Sequence, residues 1–432
     1  MNTLAAPAPI APLTSPGTDG APALVAAIRT EIAAQGGRIT FARFMELALY
    51  HPAHGYYLAP ERRPGRGGDF LTAPETHPFF GFALARLLAD CWERLERPDP
   101  FIVREYGAGV GGLAYDLIAG LSQTAPAAAA ALRYRLIEPN PHRRQQALAA
   151  MAEVGLADRV TVEVPPPGED PTLEPIVGVV LANEVADALP VHRLVWRGGR
   201  DDGSLRERYV VWRDEISSAG FVAEEGDLSP PARRFEPAAR LREAGVRLAD
   251  GDLLEMSPAA AAWIGGVARG LARGYVLVID YGYETAELYR AHRLRGTLRG
   301  YHQHTVTDDP FRRVGEQDLT AHVDFGALRR AGVAAGLLPA GFTTQAEFMT
   351  ALGLGDLLVG LQAEPQTSAE EYLASRAAVF RLIDPGGMGR FGVLAMARAA
   401  LVVPPLLGFG PPTGLVRAGE ASGATPLERD EK

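Results

Sequence analysis

The chain is expected to fold as a doubly wound, Rossmann-like α/β sheet with an N-terminal helical cap and an inserted β-hairpin. Three observations predict this. Strand and helix signals alternate from Phe101 to Asp280. A glycine cluster follows the first of those strands. The fourth strand, Val177–Leu181, is apolar throughout, as a strand covered on both faces should be.

Before the alternation begins, apolar residues recur at helical spacing over Leu24–Ala34 and again over Phe41–Leu49. His51–Thr76 is dense in Gly and Pro and reads as loop. Phe79, Phe82, Ala83, Leu87, Leu88 and Cys91 share one face of a helix over Phe79–Leu95, which Pro98 and Pro100 end. Phe101–Tyr106 is then a strand, Gly107–Gly112 a turn and Leu113–Leu121 a helix. Tyr134–Ile137 with Arg143–Met151, then Val160–Val164 and Val177–Leu181, repeat the unit. Leu194–Arg197 and Arg208–Arg213 flank the turn-forming Gly198–Gly203 and read as a hairpin, inserted at about 194–213. Ala259–Ala272 is a helix and Tyr275–Asp280 another buried strand.

These signals divide the chain into a disordered tail at 1–20, a helical cap and loop at 21–100, and a core at 101–285. A region at 286–402 completes the core, and a flexible tail follows at 403–432. No run approaches the ~20 apolar residues of a membrane helix. The first 20 residues have neither the charged and apolar regions of a secretory signal nor the arginines of a mitochondrial transit peptide. A formal net charge of −9 argues against a dedicated nucleic-acid binder. The single cysteine, Cys91, forms no internal disulfide and suits a reducing compartment, and a bacterial cytoplasm is the expected location. Lys+Arg total 43, of which only Lys432 is lysine, a bias read as coding composition. No metal site is expected, since His51 and His54 have no acidic or cysteine partner close by in sequence.

The chemistry concentrates in Val103–Leu113. Gly107, Gly109 and Gly112 satisfy G-x-G-x-x-G between a strand and a helix, with Gly111 beside them; glycine lets the backbone turn sharply and approach a ligand at a helix N-terminus. Two cofactor readings follow. A dinucleotide would need a ribose-binding acid about 20 residues on, at the end of the next strand. Glu138 occupies that strand end, 26 residues beyond Gly112. S-adenosylmethionine would use an acid before the glycines as well, and Glu105 supplies it. With both acids present, the methyltransferase reading outranks the dehydrogenase.

The fourth strand delivers Asn183, Glu184 and Asp187 to the rim where doubly wound sheets bind ligands. Glu184 and Asp187 are expected to form an anionic cradle for a cationic acceptor. A helix-capping Asn183 and a solvated Asp187 are the plainer alternative.

Several motifs together resemble the MidA family of class I methyltransferases. They are Gly68–Glu75 (GDFLTAPE), Glu105–Gly109 (EYGAG), Asn183–Pro190 (NEVADALP), Ile279–Gly282 (IDYG), Thr297–Tyr301 (TLRGY) and Asp318–Phe325 (DLTAHVDF), in order along Ile39–Met396. Ala108 stands where that family usually has proline, and Val185 and Ala186 where it commonly has aromatic residues. The resemblance implies S-adenosylmethionine as cofactor, held by Asp69, Thr72, Glu105, Gly107, Gly109, Gly111, Glu138 and Asn183. It also implies a protein substrate: symmetric dimethylation of an arginine in a core subunit of NADH–quinone oxidoreductase, in support of its assembly. Glu184, Asp187 and Asn183 are then the catalytic candidates. A non-catalytic, cofactor-binding assembly chaperone and an NAD(P) oxidoreductase are the alternatives.

Overall fold

The computed structural model describes residues 20–59, 71–164, 173–199, 202–214, 220–290, 293 and 295–410. Its centre is a seven-stranded sheet. Five strands are parallel: β1 (Phe101–Tyr106), β2 (Leu132–Ile137), β3 (Val160–Val162), β4 (Ile176–Asn183) and β5 (Leu271–Asp280). β6 (Leu338–Thr344) and β7 (Gly392–Arg398) complete it, with β7 inserted antiparallel between β5 and β6. The spatial order is β6-β7-β5-β4-β1-β2-β3. It reverses direction of progression between β1 and β4, which opens the crevice where open α/β sheets bind ligands.

The helices cover both faces. α3 (Phe79–Arg94), α4 (Gly112–Thr124) and α5 (Pro141–Glu153) contribute Phe80, Leu84, Leu88, Leu117, Ile118 and Ala147 to one buried face. α6 (Pro258–Arg269) and α7 (Phe325–Ala334) seal the other with Ile264, Val267, Phe325 and Leu328. Side chains leave a strand alternately to the two faces, and both are dry here. Pro at the first turn and an Asn140 side chain accepting from His142 and Arg143 N–H start α5, leaving the preceding Glu138 fixed at the end of β2.

The segment expected as one cap, 21–100, divides. α1 (Pro22–Ala34) and α2 (Phe41–Tyr50) pack Leu24, Ile28, Phe41, Phe44 and Leu49 into a second core with Val210, Phe221 and Leu319, whereas α3 belongs to the central sheet. The expected hairpin is present as His192–Arg197 and Ser204–Arg213. It is part of a larger antiparallel sheet with Ile39–Thr40, Gly220–Gly226 and Leu253–Met256. Those short flanking strands alternate too little to announce themselves in sequence. The tail expected at 1–20 lies outside the described residues except Gly20. Of the tail expected at 403–432, residues 403–410 are anchored rather than frayed. The Arg94 guanidinium donates to the Pro404 and Pro405 carbonyls, and Leu406 is buried. Among the described residues no helix is long and apolar enough to cross a membrane.

Candidate active site

The glycine loop is built from backbone that side chains other than glycine rarely adopt. Gly107, Gly109 and Gly111 have φ of 70°, 56° and 84°. Gly107 and Ala108 N–H donate to the Ile137 carbonyl, and Gly109 N–H donates to the Glu138 carboxylate at 2.9 Å. Gly111 then caps α4 in the left-handed conformation. A Cβ on Gly109 would meet nothing within 4 Å, so open space lies over the loop. A Cβ on Gly107 would come within 2.8 Å of Val185 Cγ2. The loop thus touches the β4 segment that carries Glu184.

Glu138 is 4% exposed, and its two oxygens accept separately from Gly109 N–H and Asn140 N–H, both at 2.9 Å. Each oxygen retains a lone pair for a ribose hydroxyl, so this carboxylate suits an adenosyl ribose. Burial pushes its carboxyl up, opposed by those two amide donors and the charge of Arg143. Glu105 is equally buried under the loop, where the Tyr134 hydroxyl donates to it at 2.9 Å. Burial pushes Glu105 up to about 7, so a nearby cation would find an acid ready to ionise. Thr72 heads the short helix Ala73–Thr76 and bonds Glu75 through its hydroxyl, which leaves it a capping residue. Asp69 lies outside the described residues.

At the end of β4 the chain bends sharply. Glu184 has φ of 52°, a strained value for a residue with a side chain. Its carboxylate accepts from Ala73 N–H at 3.0 Å and from Asn183 Nδ2 at 3.1 Å. Burial and then Asp187 and Glu75 push it up, against the Ala73 and Asn183 donors, to about 7. Asp187 is 5% exposed, not solvated, and burial raises it to about 6 while the Tyr281 hydroxyl donates to it. Asn183 closes β4 rather than capping a helix, and its Oδ1 is buried without a hydrogen-bond partner.

Glu184 and Asp187 face a cavity of about 360 Å³ walled by Tyr281, Tyr283, Tyr301 and Phe391, with Asp318, His322 and Arg390 on its lining. Its floor is acidic and its sides aromatic, an arrangement suited to a flat cation. The motifs IDYG and DLTAHVDF supply Tyr281, Asp318 and His322. In the sequence those motifs give no role to Tyr281 or Asp318, and His322 reads as a strand-edge histidine sooner than one approaching the acceptor side, because nothing local says that β5 and the segment before α7 converge. Asp280 was missed in the same way. Arg390, which precedes β7, carries no sequence signal of its own.

Residues 83–343 match the family described as "Putative S-adenosyl-L-methionine-dependent methyltransferase". A Burkholderia thailandensis protein solved bound to S-adenosyl-homocysteine is 36% identical, with a TM-score of 0.77 over 90% of this chain and 94% of that one. The chain belongs to this family. Among curated relatives, the Drosophila melanogaster protein named as a mitochondrial homolog of protein arginine methyltransferase NDUFAF7 is 28% identical over 86% of this chain and 85% of its own length. The human protein arginine methyltransferase NDUFAF7, mitochondrial, is 28% identical over 83% and 80%. The chain is therefore a MidA-type methyltransferase with S-adenosylmethionine as cofactor, and the dinucleotide reading of the glycine loop is set aside. The expected bacterial cytoplasmic location is overturned by the curated relatives, whose names place them in mitochondria.

Proposed function

We propose that this methyltransferase is a protein-arginine N-methyltransferase that symmetrically dimethylates an arginine in a core subunit of NADH–quinone oxidoreductase, supporting assembly of that complex. The observation carrying the reading is the pair of acids, Glu184 and Asp187, in an aromatic-walled cavity beside the glycine loop, with no cationic side chain bonded to either among the described residues. The names of the curated relatives support the same acceptor chemistry.

When bound, the cofactor supplies an electrophilic methyl group. The residues would then act as follows. Glu138 holds the ribose, Gly109 leaves room for it, and Glu105 balances positive charge beneath the loop. Asn183 offers an unused buried Oδ1 at the boundary between cofactor and acceptor. The acceptor guanidinium has five N–H donors and stays protonated in water. Glu184 and Asp187 would take two of its edges in charge-assisted hydrogen bonds, fixing which nitrogen faces the methyl group. Transfer leaves one N–H proton in excess. Glu184, raised to about 7, is matched to accept that proton near neutral pH.

The test is incubation of the purified chain with tritiated S-adenosylmethionine and isolated core subunits of NADH–quinone oxidoreductase, followed by amino-acid analysis of the labelled subunit. Symmetric dimethylarginine is the expected product. Label on lysine or on no subunit would refute the acceptor assignment.

A further inference from the structure

Asp280 ends β5, is fully buried, and does not itself line the described cavity. Its Oδ2 accepts three consecutive backbone N–H groups: Val185 at 3.1 Å, Ala186 at 2.8 Å and Asp187 at 3.2 Å. Its Oδ1 accepts the N–H of Tyr281 at 2.8 Å. The residue just before this cluster, Glu184, is the one with positive φ, and its own N–H still belongs to the sheet, donating to the Ile279 carbonyl at 2.9 Å. The chain therefore leaves β4 in register, reverses at Glu184, and is gathered onto a single carboxylate oxygen on the neighbouring strand. A left-handed backbone at a glutamate is costly and persists only where its surroundings impose it. Three converging N–H groups supply that constraint.

We infer that Asp280 is the positioning residue of the acceptor site: its carboxylate folds Val185–Asp187 into an anion-binding nest and so aims Glu184 and Asp187 into the cavity. The inference rests on the arginine-acceptor reading of those two acids. A glutamate here would overfill a closed site, and an alanine would leave four backbone N–H groups without their acceptor. Asparagine keeps the shape. Its amide oxygen can still serve the three donors, but its Nδ2 faces the N–H of Tyr281 and cannot accept it.

The readout that mere structure would not give is a split between cofactor affinity, which is kept, and kcat, which is lost. The ionisable groups around this nest are Glu184, Asp187, Tyr281 and, through Glu184, Glu75. Burial raises Asp280 itself well above the usual carboxylate range, with Asp187 and Glu184 adding to the rise and the N–H donors opposing it.

The experiment uses the full chain, S-adenosylmethionine and the oxidoreductase core subunit that the wild type labels. Asp280→Asn is expected to bind S-adenosyl-homocysteine within about threefold of wild type by calorimetry, yet to lose about 100-fold in kcat, the scale of a small misplacement of reacting groups. In a Glu184→Gln background the same substitution should cost little more, since both act on one contact. Wild-type kcat in Asp280→Asn would overturn the inference. So would a full, additive loss on top of Glu184→Gln. If Glu184→Gln itself turns over normally, the acceptor reading has failed, and that outcome is distinct from an active Asp280→Asn beside an inactive Glu184→Gln. Should Asp280→Asn not fold, exchange of the Val185 amide in wild-type chain labelled with ¹⁵N-valine decides. Slow exchange fits the nest, and exchange as fast as an open loop refutes it.

Discussion

Two groups of buried acids, one in the antiparallel sheet and one at the ends of β4 and β5, are treated in opposite ways. In the antiparallel sheet, Glu207 is fully buried but bonds His192 Nδ1 and Ser229 N–H, both at 2.6 Å. Burial alone would raise it, and those partners hold it below the ordinary carboxylate range. Glu255 nearby receives Arg193 at 3.3 Å and Thr297 N–H at 2.7 Å. At the ends of β4 and β5, Glu184, Asp187 and Asp280 have only neutral donors, and all three carboxyls are raised. A paired buried acid is part of the architecture. Asp280 is spent on backbone N–H groups, whereas Glu184 and Asp187, which line the cavity without a cation and against their desolvation cost, are kept for a cation that arrives from outside.

That contrast can be broken at several points. The largest effect is expected on the cofactor side. Gly109→Val places a branched side chain at positive φ in the open space over the loop, and S-adenosyl-homocysteine affinity should fall more than about 100-fold in calorimetry, with NAD giving no heat in either protein. Next, Glu207→Ala removes one partner of a buried pair. Its denaturant midpoint should drop by an amount equivalent to about 3 kcal/mol while the folded protein keeps its kcat.

The pH dependence of stability should separate the two regions as well. Glu184 and Asp187 have folded pKa values of about 7 and about 6, above the ordinary 4.5 and 3.8. The folded state therefore holds protons that the unfolded chain has already released. Their contribution is present at low pH and is lost as pH rises through 6 to 7. The melting temperature of the ligand-free protein should fall by a few degrees from pH 5.5 to 8. The Glu184→Gln/Asp187→Asn double variant should flatten that fall, and an unchanged slope would refute the assignment. The smallest effect is expected at the N-terminal segment. Tyr57 donates its hydroxyl to Asp318 at 2.8 Å while its carbonyl accepts from Asn140 Nδ2 at 2.8 Å, tying ribose side to acceptor side. Tyr57→Phe should cost about 1 kcal/mol of stability and raise the acceptor KM a fewfold.

Much of this was legible in the sequence. Strand–glycine–helix alternation reports the sheet because period and turn chemistry are local, and β1 begins and ends where its residues predict. Glu105, the glycines and Glu138 were legible because strand ends in such sheets face the ligand. Glu184 and Asp187 were placed by the same rule. Asp280 was not, since its role exists only once β4 and β5 are side by side. The antiparallel sheet was half visible. The turn at Gly198–Gly203 marks two strands, but Ile39–Thr40 and Leu253–Met256 are short and bound by distant pairing. Thr72 is a ligand contact only by the family resemblance. The same residue type before Pro and Glu is equally a helix cap, and the cap is what forms.

The central claim is that Glu184 is held without a cation so that it can take the acceptor. It is tested most directly by comparing Glu184→Gln with Glu207→Gln in one assay, measuring kcat/KM for the acceptor subunit and calorimetric affinity for S-adenosyl-homocysteine on the same preparations. Glu184→Gln should lose about 1000-fold in kcat/KM, roughly 4 kcal/mol of transition-state stabilisation. It should keep its cofactor affinity, and Glu207→Gln should keep both. Normal turnover in Glu184→Gln, or an equal loss in the two variants, would contradict the account.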